Sequence, residues 1–167
     1  MTTSGAAIAR FWEDAQRALG RRLVPYFGGL TTPLQPSAPP QAWAFGGTPA
    51  QADELLGLVL AGMKTATAGA LWDYEAAGEP VPADGDLSIV LDGDGRPRAL
   101  LRTTDVRVVP FEEVDAEHAR LEGEGDLSLD FWRRAHESFF TEYAAHDRGF
   151  DPTMPVVLER FEMLYSA

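Results

Sequence analysis

Apolar positions near the start of the chain recur at helical spacing. Ile8, Phe11, Trp12, Ala15 and Leu19 fall on one face of a helix over residues 4–20, with Ser4 as its N-cap and Gly20 past its end. The following stretch, GGLTTPLQPSAPPQ (28–41), has no periodicity and is rich in Pro, Gly and small polar residues, which predicts an extended strap over the surface. A second helix is predicted over 48–62. Thr48 stands as N-cap, Pro49 at the first helical position, Gln51 completes a capping box, and Gly62 ends a helix that buries Leu55, Leu56, Val59 and Leu60. The run KTATAGALW after it is too small and polar for ordinary core and reads as a tight loop lining something.

From residue 79 the period shortens to that of strands. GEPVPADGD is turn chemistry, LSIVLD a short buried strand, DGDGRP a hairpin connection, and PRALLRTTDVRVV a long strand with Leu100, Val106 and Val108 sharing a face. PFEEVDAEHARLEG reads as a short helix. SLDFWRRAHESFFTEYAAH then forms an aromatic-rich helix with Phe131, Trp132, Ala135, Phe139 and Tyr143 at core spacing, and VVLERFEML closes the chain as a strand. Helices, then strands, then helices and a last strand predict an α+β domain around a small, largely antiparallel β-barrel.

With 167 residues, 45% of them hydrophobic, the chain has enough apolar material for one core. No run approaches the length of a membrane span and no signal-type leader is evident, so a cytoplasmic protein without a membrane partner is expected. The absence of Cys excludes disulfides, thiolate metal sites and a cysteine nucleophile. A net charge of −12 argues against a long groove tracking phosphates, and so against extended double-stranded DNA. Arg96, Arg98, Arg102 and Arg107 form either a local basic patch or scattered exposed strand residues.

Charge also singles out Lys64. It is the only lysine among fourteen Lys and Arg residues, beyond a helix C-terminus whose carbonyl dipoles favour a cation that Arg would serve equally well. An amine can lose its proton and act as base or nucleophile, or serve as a single-point donor, where a guanidinium stays charged. The competing explanation is an Arg-rich coding bias. In EGEGD (122–126), Glu122, Glu124 and Asp126 crowd three carboxylates into five residues punctuated by Gly123 and Gly125. One of them would orient or deprotonate a partner, the group would hold a hard divalent cation, or the segment is a solvated helix end with Asp126 capping the next helix near Ser128. DGDG (92–95) lacks the ligand pattern of a calcium loop, and HESFF (136–140) lacks the second histidine of a zinc-protease helix. His136 and His146 read as ordinary helix residues. No phosphate-binding loop or dinucleotide fingerprint occurs, so no cofactor is expected.

Lys64-Thr65-Ala66-Thr67 after a helix ending in Gly62, the turn and strand around Gly85-Asp86, and His118-Ala119-Arg120-Leu121-Glu122 before a helix and final strand resemble the ASCH domain, a relative of the PUA fold. The longer signature KTATAGALWDYE, PADGDLSIVLDGDGRP, EGEGDLSLDFWRRAHESFF is similar to an uncharacterised bacterial branch of that family. The resemblance spans about residues 45–165. It implies a domain over 45–167; the helix and strap over 1–44, which have no counterpart in the smallest similar proteins, are expected to pack on it and to cover the cleft or make a homodimer. It further implies a mostly antiparallel barrel with helices closing a cleft for a nucleobase or modified nucleoside. Similar proteins are associated with RNA or modified nucleosides, and a small bacterial one hydrolyses the acetyl amide of N4-acetylcytidine with a Lys, a Thr three residues on and a Glu. Those positions fall on Lys64, Thr67 and Glu122.

On this resemblance Lys64, its pKa lowered by partial desolvation, would take the proton of Thr67 Oγ for attack on an amide carbonyl, while Glu122 holds the ammonium and passes a proton to the leaving amine. Substrate contacts are expected from Thr65, Trp72, Tyr74, Arg102, Glu124 and Ser128, with Trp72 or Tyr74 stacking the base. Gly69 stands where similar proteins commonly carry a charged residue, often Arg. The alternatives are an RNA-binding or ribonuclease module acting on single-stranded RNA, and a sensor that binds a nucleoside without turning it over.

Overall fold

The computed structural model describes residues 3–20, 22–23 and 38–167. Helix α1 spans Thr3–Leu19, and Gly20 follows it with a positive φ of 48°. The capping role expected of the Ser4 side chain, and the strap over 28–37, lie outside the described residues. Next come β1 (Gln41–Trp43), α2 (Pro49–Leu60), β2 (Ala66–Ala70), α3 (Leu71–Ala77), β3 (Leu87–Leu91) and β4 (Pro97–Pro110). A 3-10 turn at Phe111–Glu113 leads to α4 (Ala116–Glu122), α5 (Leu129–Glu142) and β5 (Pro155–Ser166).

The fold is α+β, a five-stranded half-barrel sheet in the order β1-β3-β4-β5-β2 with flanking helices. It is largely antiparallel with one parallel pair, in which β1 pairs with β3 through Gln41↔Ser88 and Trp43↔Val90. The strand β1 was expected to be the tail of the strap. Three residues beside prolines carry too short a pattern to read, and only the neighbouring strand gives them order.

The chain divides into two units. In the unit made of residues 1–56, 85–102 and 162–167, Phe11, Trp12 and Ala15 of α1 pack with Ile89 and Leu100. The expected face of α1 is the buried one. β3 and β4 pair antiparallel from Leu87↔Arg102 to Leu91↔Pro97, and the connecting turn is closed by Asp92 Oδ1, which accepts from Asp94 N at 3.0 Å and Arg96 N at 2.9 Å. Ala99, Leu100 and Leu101 are all buried, so both faces of this part of β4 are covered.

In the unit of residues 57–84 and 103–161, Phe111, Val114, Trp132, Phe140, Met154, Val156 and Leu158 form the core. Ala66, Ala68 and Ala70 of β2 face it, small enough to let α-helical side chains approach, and β2 pairs antiparallel with β5 from Ala66↔Arg160 to Ala70↔Val156. The segment expected to be a loop is therefore a strand followed by a helix. Val108 was expected to share the buried face of Leu100 but is 49% exposed. α5 is rotated relative to its expected face: Trp132, His136 and Phe140 are buried, while Phe131, Ala135, Phe139 and Tyr143 are only half so.

Candidate functional site

Three short elements converge on Lys64. The end of α2 is closed by Gly62 at φ 73°, and the carbonyl of Leu58 accepts from both Met63 N at 2.9 Å and Lys64 N at 3.1 Å, which turns the chain inward. Thr65 N then donates to Leu121 O at 2.8 Å, tying this segment to α4. α4 itself is capped by Asp115, whose side chain accepts from His118 N, and ends at Gly123 with φ 73°. A Cβ on Gly123 would lie 2.4 Å from Met63 O, so glycine is needed there for conformation and for space. Ser128 caps α5 by accepting from Phe131 N at 3.1 Å, and Asp126 Oδ1 accepts from Ser128 N at 2.9 Å.

The Lys64 side chain is 1% exposed. Its Nζ donates to Glu122 Oε2 at 3.0 Å and to Glu124 Oε1 at 2.7 Å, with a longer contact to Glu122 O at 3.4 Å. Burial pulls its pKa down, but Glu122 and Glu124 together outweigh burial and raise it above the ordinary 10.5. The expected lowering is thus reversed: with two carboxylates on it, Lys64 is a fixed ammonium at neutral pH and cannot serve as the resting base.

Glu122 is saturated. Oε1 accepts from Trp132 Nε1 at 2.8 Å and from His118 Nε2 at 2.9 Å, while Oε2 faces Lys64 Nζ at 3.0 Å and His136 Nε2 at 3.4 Å. Burial would raise its pKa, yet Lys64, His136 and the His118 hydrogen bond hold it well below 4.5. Its acceptor capacity is used, so it positions Lys64 rather than shuttling protons. His118 Nε2 donates to Glu122, and its buried Nδ1 has no hydrogen-bond partner. His136 stacks on Trp132 with ring centroids 4.1 Å apart, and its Nδ1 donates to Trp132 O at 2.9 Å. Burial lowers its pKa, but Glu122 and then Glu124 raise it above 6.5 overall. A protonated His136 gives the group two cations for two carboxylates.

Of the residues expected in the site, Lys64, Glu122 and Glu124 are in direct contact. Glu124 differs from Glu122 in being 20% exposed, on a turn flanked by Gly123 and Gly125 at φ 73° and 57°. Thr65 joins through its hydroxyl, 3.4 Å from Leu121 O. Thr67 is on β2 opposite Glu159, and strand alternation puts it on the face away from Ala66, Ala68 and Ala70. Glu159 accepts from Thr103 Oγ1 at 2.6 Å. Ser128 is the N-cap of α5, and Arg102 is in the other unit, paired with Glu162 at 3.0 Å. Trp72 is half-buried, with Arg148 5.0 Å above its ring and His146 edge-on at 5.2 Å. Tyr74 packs over Gly69, where an added Cβ would meet its ring at 3.1 Å. Burial, then Glu159, Glu79 and Asp73, push the Tyr74 hydroxyl up to about 12. It lines an open cavity of about 330 Å³ with Gly69, Asp73, Glu79 and Phe139.

Trp132 and His136 were missed as site residues, and His136 was expected to be an ordinary helix position. The signal was present: His118 and Glu122 are four apart on α4, as Trp132 and His136 are on α5, so each pair shares a face. Among the described residues no group of three or more His, Asp or Glu is arranged to hold a metal ion, and Glu122 and Glu124 face an ammonium.

The family model described as ASCH domain matches residues 41–165. The chain is 28% identical to the crystal structure of an ASCH domain from Lactobacillus crispatus JV V101, with a TM-score of 0.72 over 91% of this chain and 95% of that one. It is 31% identical to protein EF3133 from Enterococcus faecalis V583, with a TM-score of 0.70 over 90% and 88% of the two chains. No curated protein matches it.

Proposed function

The chain belongs to the ASCH domain family, PUA-like domains often linked to RNA binding, and from that premise we propose that it takes a modified pyrimidine nucleoside and hydrolyses the N-acyl amide on its exocyclic nitrogen. The observation that carries the reading is the inequality of the two carboxylates on Lys64: Glu122 is saturated and buried, whereas Glu124 touches the ammonium and reaches the surface. A desolvated, fixed ammonium is a strong donor to a developing oxyanion. Glu124 beside it supplies the proton acceptor that Lys64 cannot be.

In this reading the acyl oxygen takes the place of Glu124 on Lys64 Nζ as the carboxylate rotates outward. Water adds to the acyl carbon and gives a proton to Glu124. The C–N bond then breaks as Glu124 returns that proton to the nitrogen, leaving a carboxylic acid and the free base amine. Thr67, on the face of β2 away from Ala66 and paired with Glu159, takes no part in this step.

The test is release of cytidine from N4-acetylcytidine, followed by chromatography, for the native protein, Lys64→Arg and Glu124→Gln. Release by the native protein and a loss of about a hundredfold or more in both variants supports the reading. Undiminished release by Glu124→Gln overturns the role given to that carboxylate, and no release by the native protein overturns the reaction.

A further inference from the structure

Leu127 is the one non-glycine residue with a positive φ among the described residues, at 66°. In that region Cβ crowds the following carbonyl, a conformation that Gly adopts freely and Asn or Asp tolerate. Leu127 is also 41% exposed. An isobutyl group that is neither relaxed nor well buried contributes little to the fold, and backbone strain of this kind is concentrated at functional sites. Its position supplies the link. Leu127 N donates to Glu124 O at 3.0 Å, so Leu127 closes the turn that presents the Glu124 carboxylate. Asp126 Oδ1, accepting from Ser128 N at 2.9 Å, holds the next peptide in place.

On the other flank of the same turn is Met63, the residue before Lys64, 55% exposed. Gly123 lies against it so closely that a Cβ would stand 2.4 Å from Met63 O. Two exposed aliphatic residues therefore adjoin, through their backbones, the turn that carries Glu124, the part-exposed member of the ion pair. A flat aromatic base is gripped by flat aromatic faces, whereas flexible Leu and Met side chains fit an alkyl chain.

We infer that Leu127 and Met63 grip the hydrocarbon part of the acyl group, so that the site favours acyl chains longer than acetyl. The inference rests on the N-acyl nucleoside reading above and names the part of the substrate that confers selectivity. The full chain is assayed with N4-acetyl-, N4-propionyl- and N4-butyrylcytidine, as the native protein and as Leu127→Asn and Leu127→Gly, two residues that suit the left-handed conformation. Thermal melts check that both variants fold. For the native protein kcat/KM rises about fourfold per added methylene, and the butyryl-to-acetyl ratio collapses toward one in the variants.

A flat series in the native protein, or an undiminished ratio in both variants, overturns the inference while leaving hydrolysis in place. Failure of the native protein to turn over any of the three overturns the hydrolase reading and this inference with it.

Discussion

Glu122 holds four donors in a buried pocket, and the protonation of those neighbours makes its environment sensitive to pH in two directions. Its folded pKa is depressed well below 4.5, so the stability it contributes is complete above that ordinary value and is lost as pH falls through the lower folded one. His136 works with the opposite sign. Its folded pKa is raised above 6.5, so its contribution is complete below 6.5 and is lost as pH rises through the raised value. Urea midpoints across pH should form a plateau that declines on both sides. In His136→Gln the decline that sets in above pH 6.5 should vanish, while the acid decline and the one that Lys64 causes above 10.5 persist, whatever the variant does to the plateau height. A decline between pH 6.5 and 10.5 of unchanged size in the variant would place its origin elsewhere. Lys64 was legible as unusual from being the sole lysine, but its proton state was not. That state follows from two carboxylates fifty-eight and sixty residues away, which no local pattern encodes.

At the scale of elements, the site depends on the left-handed turn after α4 lying directly on the backbone of residues 63 and 64. Gly123→Ala forces an L residue to φ 73° and drives a Cβ to 2.4 Å from Met63 O. The conformation alone costs about 1–2 kcal/mol, and the clash adds to it. A drop in Tm of several degrees is expected, on the order of 2–4 °C per kcal/mol for a chain of this size, together with loss of the proposed hydrolysis as Lys64 shifts. A melting temperature equal to that of the native protein would show that the turn gives way without cost. The helices were readable because caps and glycines bracket them: Thr48 Oγ1 does accept from Gln51 N at 3.2 Å, and Gly62 does end the turn. The reach of Gln51 is one residue beyond the expected box, with Oε1 accepting from Gly47 N at 2.8 Å. β2 was not readable. Its one strand-favouring residue, Thr67, is outnumbered by Ala and Gly, which are depleted in strands, and the five-residue ladder to β5 decides the outcome. The buried face of α5 was misjudged for a related reason: His136 is drawn in by a carboxylate on another helix, and that charge outweighs the aromatic pattern at Phe131, Phe139 and Tyr143.

At the scale of the whole molecule, charge decides which class of ligand is credible. The sequence gives a net −12, and its arginine cluster left room for a local basic patch. The contacts reduce that positive charge: Arg96 pairs with Asp94, Arg98 with Asp92, Arg102 with Glu162 and Arg107 with Asp105. Arg148 and Arg160 are likewise held by Glu75 and Glu117. A cation already paired must lose its carboxylate before it gains a phosphate, so these arginines bring little of the counterion release that drives RNA binding. A neutral nucleoside avoids that cost and is not repelled by an acidic surface. Fluorescence anisotropy of a labelled single-stranded RNA, titrated with the protein from about 50 to 200 mM salt, is therefore expected to show no binding even at the low end. Saturable binding that weakens steeply with salt would mean that phosphates do displace the carboxylates, and the substrate would then be sought within RNA rather than among free nucleosides.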